Sequence, residues 1–525
     1  GSGDCGAAAL LSVQTMGEKD DGDYGSVRRV DDIFFFKRET TPTSIRKWMR
    51  DESIKSFMEY YKGHPQPLKL NDGVFGVLFY LQLGLVIYAG VMHGKTGILS
   101  DDPWDLLGGE KVAKICFRNV VVIALVSGVF ACVISGLALL FMMRTQNLIR
   151  YSLFFSMMCS ILWIFMGFKD INDGFIPVLG ILALLHSVGY TLVVWDRIDF
   201  AEANVHAGLR VGVKDNYWGC LGLAFWHQLL VFAWSVWWGF TSVGVYNWME
   251  VNGWSWNERR WVLLGFLVSY YWTFQVIMRT LQVIVAGIIG EWCFTPQSQS
   301  STFHHICKST TYSFGSICLG SLFVGIFQVL RQLLTAFRPQ RSNNVLLCLQ
   351  ECILCIKKSI FLLVDSLTRS FNNWAFIYIG MYSYSFTEAG GTATELFDKR
   401  GLNQLANDYL VDNVLYIFSI VIGGATGYFA LLFQSFHSNE LTSLHTPITT
   451  AFVLGFFIGL VLSFVLLSIV DSSVNTIIIS YAGSPLEVEQ NQPHMSKDLK
   501  VAWKDAWQNT VSTVRTKMML NDTAA

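Results

Sequence analysis

The sequence predicts an all-α polytopic membrane protein with about ten transmembrane helices, and three observations carry that expectation. Charged residues make up only 15% of the 525 residues and hydrophobic ones 52%, whereas soluble domains carry about a quarter charged residues. Apolar runs near the ~20 residues needed to cross ~30 Å of hydrocarbon recur along most of the chain. No evenly spaced alternation of a transmembrane barrel is visible, and lipid cannot satisfy free backbone groups, so these runs must be helices.

The runs lie near 74–93, 119–143, 149–168, 175–195, 218–245, 261–289, 312–337, 411–434 and 448–471. A tenth, 345–383, is interrupted by Lys357, Lys358, Asp365 and Arg369. Three regions follow: a cytoplasmic N-terminal tail (1–72), a transmembrane domain (73–483) and a cytoplasmic C-terminal tail (484–525). The opening 70 residues are polar and basic, and no cleavable signal peptide is expected there. Within them, 44–62 alternates charge with apolar residues at helical spacing, as a helix lying on the membrane surface does. Orientation follows the basic residues. Arg28, Arg29, Lys37, Arg38, Arg46, Lys47 and Arg50 draw the N-terminal tail to the cytoplasm. Arg144 and Arg150, then Arg197, Arg210 and Lys214, do the same for two loops, while 94–118 balances its bases with Asp101, Asp102, Asp105 and Glu110. An even span count then leaves both termini inside.

Other features narrow the function by exclusion. A net charge of −1 leaves no basic surface for nucleic acid. Of the 11 cysteines, Cys132, Cys159, Cys220 and Cys318 sit in apolar runs as small hydrophobes. Cys348, Cys352 and Cys355 share a helix face, suiting core packing or lipidation rather than a metal. No metal, cofactor or catalytic constellation is assigned, and the chain is read as non-enzymatic. Ala89–Thr96 (AGVMHGKT) matches a relaxed phosphate-loop pattern, but it closes an apolar run where strand, loop and helix are required. Small residues recurring every four positions, Gly455, Gly459 and Ser463, predict a close helix–helix contact. Ser316 with Gly320 and Ser321 with Gly325 repeat the pattern.

Four stretches carry a family resemblance. They are Ala286–Phe294 (AGIIGEWCF), Thr311–Gln332 (TYSFGSICLGSLFVGIFQVLRQ), Asn372–Tyr384 (NNWAFIYIGMYSY) and Asp471–Pro485 (DSSVNTIIISYAGSP). In this order they resemble the choline transporter-like family (solute carrier family forty-four), nearest its fungal pH-nine-sensitive branch. The match is good over roughly 210–495 and rests on span layout over 74–209. The resemblance implies ten spans, cytoplasmic termini, the plasma membrane, and facilitative or proton-coupled movement of choline or a related organic cation. A different reading is a non-transporting scaffold or lipid-handling protein of the same fold. An ion channel is disfavoured, since no filter-like repeat or ring of charges occurs.

A choline-like substrate has no N–H on its quaternary nitrogen, so π faces and a diffuse negative field must hold it. The fifth and sixth spans combine rings with polar groups at membrane depth, and Trp226, Trp234, Tyr271, Gln275 and Arg279 are the candidate substrate-binding residues. Gln275, Arg279 and Gln282 share one helix face. An ionisable group mid-membrane costs about 2.5–3.5 kcal/mol on insertion scales, so Arg279 is expected to face the interior. Asp412 opens the ninth span, Asp471 closes the tenth, and His227 lies in the fifth. Where this chain has Gln275, the family usually carries a carboxylate. Its loss implies a neutral or zwitterionic ligand, or a carboxylate supplied elsewhere.

The expected topology is directly testable. Accessibility tags at Asp20 and Arg515 are expected to be protected together from impermeant reagents in intact cells. The acceptor-like Asn521 is then expected to stay unglycosylated. Labelling of one tag alone would rule out an even number of spans.

Overall fold

The computed structural model describes residues 63–99, 117–145, 147–167, 175–195, 198–215, 217–295, 301–323, 373–400, 410–436 and 447–503. The expected surface helix at 44–62, the cysteine helix at 348–355 and most of the interrupted run 345–383 lie outside them. Every described element is helical, as the sequence predicts. In chain order they are α1 (Gly73–Leu99), α2 (Phe117–Arg144), α3 (Leu148–Gly167), α4 (Phe175–Val194) and α5 (Ile198–Leu209). A π-helical turn, Arg210–Asp215, follows α5. Then come α6 (Tyr217–Val251), α7 (Trp256–Phe294) and α8 (Thr302–Cys307), the last continued by a second π turn, Lys308–Tyr312. The remainder are α9 (Phe314–Phe323), α10 (Trp374–Tyr382), α11 (Phe386–Arg400), α12 (Leu410–Phe436), α13 (Pro447–Gly483) and α14 (Pro485–Asn491). A last helix covers 493–503.

Among the described residues, α1, α2, α6, α7, α12 and α13 are long and apolar enough to cross a membrane, while α3, α4 and α9 contribute shorter apolar stretches. Lipid exposure sorts these helices. Only 22% of the apolar window of α1 is buried, against 72% for α7. Helix α7 is therefore the axis of the bundle. Its 39 residues extend about 58 Å, well past the ~30 Å of hydrocarbon. The phosphate-loop look-alike Ala89–Thr96 is a continuous part of α1, so no loop exists there to cradle phosphate.

Tight turns set the helix directions. At the α6–α7 junction Gly253 adopts φ 72°, the left-handed conformation that ends helices and that glycine accepts without a Cβ clash. Ser255 then starts α7 with a capping box: its Oγ accepts from the Glu258 N–H, and the Glu258 carboxylate accepts from the Ser255 N–H at 2.8 Å. Two non-glycine residues also take positive φ, Asp72 at 52° and Ser383 at 65°. They meet where α1 begins and α10 ends. The Asp72 carboxylate accepts from the Ser316 hydroxyl and from the N–H of Phe386, capping α11 from another part of the chain. Asn71 Nδ2 donates to the Ser383 carbonyl at 3.1 Å.

The start of α1 and the C-terminal helices occupy the same end of the bundle, here called the near end. The Gln66 N–H donates to the Tyr382 carbonyl at 2.8 Å. Asn491 Nδ2 donates to the carbonyls of Cys293 and Phe294 at the end of α7. Val488, Leu499 and Trp503 are buried, so the chain stays folded against the bundle as far as 503. Arg144, Arg150, Arg210 and Lys308 belong to this end. At the far end Arg259 pairs with Glu250 at 3.2 Å, and Glu258 sits in the cap.

The most extensive helix–helix contact among the described residues, α12 against α13, carries the small-residue face the pattern predicts. Gly455 and Gly459 of α13 face Gly423, Thr426, Gly427 and Ala430 of α12, and Ser463 Oγ donates to the Ser419 carbonyl at 3.4 Å. A Cβ on Gly455 would stand 2.6 Å from the Ala430 Cβ, and one on Gly459 2.6 Å from the Thr426 Cβ. Both are inside van der Waals contact with side chains that have no room to turn away. Gly455→Leu or Gly459→Leu is therefore expected to destabilise the protein by about 1–3 kcal/mol, read as a lowered unfolding temperature in detergent. An unchanged temperature would show that α12 and α13 are not held at this distance.

Candidate functional site

Where α7, α12 and α13 come together toward the near end, three charged side chains meet. Arg279 lies about 35 Å along α7. Asp412 stands in the first turn of α12, and Asp471 faces it from α13. The two helices run antiparallel, and the register that sets Gly427 against Phe452 and Gly423 against Phe456 carries Asp412 to the level of Asp471. Both carboxyl groups line the same cavity, and Arg279 is within electrostatic reach of both.

These side chains line a cavity of about 70 Å³ together with Asn204, Asn373, Trp374 and Asn475. That is room for several waters. Each wall is held from outside. Asn475 Nδ2 donates to Asp471 Oδ1 at 2.7 Å, one helical turn along α13. Arg279 donates to Gln282 Oε1 at 2.7 Å and lies 5.0 Å from the centre of the Phe376 ring of α10, a cation–π distance. Asn204 Oδ1 accepts from the Trp503 indole at 3.3 Å, which ties the last described helix to the cavity wall. Asn373 Oδ1 is buried with no hydrogen-bond partner among the described residues. A buried unpaired carbonyl costs about 1–3 kcal/mol, so this oxygen is suited to meet a water or a ligand donor.

The five sequence candidates are distributed differently. Trp226 is 58% exposed on the outside of α6, and Tyr271 is 36% exposed. Trp234 is 9% exposed and packs with Val86, Met249 and Phe266, its indole N–H unpartnered among the described residues. Helices α6 and α7 do meet, but through neighbouring rings. Tyr270 meets Ser235 at 3.0 Å, and Trp238 donates to the Phe266 carbonyl at 2.8 Å. Gln275 is partly buried, one turn from Arg279. Of the five, Arg279 alone lines the cavity; Tyr271 is within its electrostatic reach. Asp412 and Asp471 show in the sequence only as acids at the ends of spans, and the fold brings Asn204, Asn373, Trp374 and Asn475 to them. The Asp471–Asn475 spacing of one turn was the available signal. His227 is buried and bonded to the Leu223 carbonyl of its own helix at 2.8 Å.

A second polar cluster lies closer to the near end. His305 Nε2 meets Glu291 at 2.8 Å, and Lys308 Nζ donates to the Gly380 carbonyl at 3.0 Å. Burial lowers the pKa of the His305 imidazole, opposed by the adjacent Glu291. Burial likewise lowers that of the Lys308 ammonium, with Glu291 again opposing. This cluster pins α8 and its π turn to α7 and α10.

The four resembling stretches converge on this region. Gly380 of α10 touches Val283, Ala286 and Gly287 of α7; Gly320 of α9 abuts Phe376 and Phe386; Asp471 and Asn475 line the cavity. A family model described as plasma-membrane choline transporter matches residues 178–485, well over half of the chain. The chain belongs to that family. Among curated relatives, "Protein PNS1" of Gibberella zeae is 26% identical over 336 residues, covering 61% of this chain and 62% of that protein. "Protein PNS1" of Mycosarcoma maydis is 26% identical over 61% of each chain, and that of Cryptococcus neoformans 28% identical over 49% and 50%. The chain spans less than two thirds of the length of the curated relatives it matches. It is an integral membrane protein of a transporter family.

Arg279 and Asp471 are half-buried and Asp412 is exposed, so removing one partner costs less than the ~3–5 kcal/mol of a fully buried pair. Arg279→Leu leaves the Asp412–Asp471 pair without its cation and is expected to lower the unfolding temperature in detergent. Asp471→Asn in the same background is expected to recover part of the loss, because the pair then holds one less negative charge. Wild-type stability of Arg279→Leu would place the guanidinium in solvent or among headgroups.

Proposed function

We propose that the chain is a secondary transporter that moves choline or a related small organic cation in exchange for a proton. The single observation that carries this reading is the carboxyl pair Asp412–Asp471 beside one guanidinium. With a proton shared between the carboxyls, the centre holds one negative and one positive charge and is neutral. When the proton leaves, one unit of negative charge remains on the pair, beside the half-buried Arg279. A monovalent cation offsets that charge as well as a proton does. Proton and cation then compete for one charge, which is the minimal chemistry of exchange.

The absence of a carboxylate at Gln275 fits this reading, since Asp412 and Asp471 supply acidic groups from other helices. The cavity of about 70 Å³ suits the proton and its waters; a trimethylammonium group requires α7, α12 and α13 to separate. Arg144, Arg150, Arg210 and Lys308 at the near end support a cytoplasmic orientation for that end.

Labelled choline uptake into proteoliposomes tests the proposal. Uptake is expected to rise when the lumen is made acid relative to the bath. Asp471→Asn and Asp412→Asn are each expected to abolish the response to the pH gradient and to lower uptake by about tenfold, equivalent to ~1.4 kcal/mol. Trp226→Ala, on the exposed side of α6, is expected to transport like wild type. Gradient-driven uptake that survives in both Asp variants would refute the exchange mechanism.

A further inference from the structure

A second opening in the fold lies apart from the carboxyl pair. It is a groove of about 1270 Å³ between the end of α2, α5 with its π turn, and the helix at 493–503. Its composition changes with depth. Leu140 and Phe141 of α2 form an exposed apolar floor, and Arg144, His206 and Arg210 rim it, opposed by one carboxylate, Asp498. Arg144 is the last residue of α2, so the rim sits where that helix leaves the hydrocarbon.

We propose that this groove binds one anionic phospholipid, its phosphate on the Arg144–Arg210 rim and an acyl chain along α2. Charge complementarity names the headgroup: guanidinium groups bind phosphate oxygens through paired N–H donors. Arg144 and Arg210 outnumber Asp498, the one carboxylate lining the groove, and so favour an anion, while the His206 imidazole is within electrostatic reach of Glu202 on its own helix. Basic pockets between transmembrane helices at the headgroup level are where such lipids are held. The apolar floor names a lipid rather than a soluble phosphate. Val133, Leu137 and Phe141 recur every four residues, so they form one stripe on α2, and all three are exposed. That stripe leads from the groove into the bilayer, a track of the length and polarity of an acyl chain. Asp498 adds a contact for an ammonium, so phosphatidylserine, with both groups, suits the whole rim.

The test is native mass spectrometry of the full chain released from nanodiscs of phosphatidylcholine doped with phosphatidylserine. Wild type is expected to retain phosphatidylserine in preference to phosphatidylcholine. In Arg144→Gln/Arg210→Gln that retention is expected to fall about five- to thirtyfold. Arg260→Gln, at the far end, is expected to leave it unchanged. If the double variant does not fold, Arg144→Gln alone, on an exposed side chain, is expected to lower retention about fivefold. Three results would overturn the proposal: equal retention in wild type and the arginine variants, no preference for phosphatidylserine, or displacement of the adduct by inorganic phosphate. The last would reduce the rim to a site for small anions.

Discussion

A guanidinium carried deep into a membrane bundle sets the terms for everything around it. Arg279 cannot be left to lipid, so the surrounding helices are arranged to answer its charge. Phe376 offers a π face, Gln282 accepts one of its hydrogen bonds, and Asp412 and Asp471 bring the opposing charge. Each of those partners sits on a different element or turn. Helix α7 is central for this reason: it holds the group whose needs reach three other parts of the chain. The consequence is an excess of one carboxyl over one guanidinium at this site.

That arrangement depends on backbone proximity elsewhere. Two carboxyls on separate helices meet at one cavity only if the helices hold register over several turns. Glycine provides this in α12 and α13. Gly423 and Gly427 on one helix and Gly455 and Gly459 on the other let backbone meet backbone, where dispersion between closely packed atoms replaces the missing hydrophobic driving force. The register established in the middle of the pair is transmitted to its end by helical rigidity. Packing and chemistry are thus the same contact viewed at two heights.

The near end is organised by polar groups acting across long sequence separations. Asp72 caps α11, Lys308 reaches Gly380, and Asn491 reaches the end of α7. Helix ends leave backbone groups without intrahelical partners, and at this end other segments supply them. Trp503 extends the network to Asn204 on the cavity wall. The C-terminal helices thus contact the lining of the carboxyl site directly.

Hydropathy and composition by themselves determined that the chain is helical and membrane-embedded, since spanning length and backbone satisfaction in lipid are local requirements. The small-residue repeat at 455, 459 and 463 also marked its face correctly, because helical periodicity makes a face visible in one segment. The four resembling stretches pointed to the family for a similar reason, being continuous motifs. Arg279 was legible as an interior group from its cost in lipid alone. Its partners were not, because Asp412, Asp471, Asn373 and Asn204 lie far apart in the chain. Only the antiparallel register of α12 and α13, and the placement of α5 and α10 beside them, bring these groups to one cavity. The rings of the fifth and sixth spans show the converse. Trp226 and Tyr271 look equivalent to Trp234 and Tyr270 in sequence, and only the rotation of each helix decides which ring faces lipid and which faces protein.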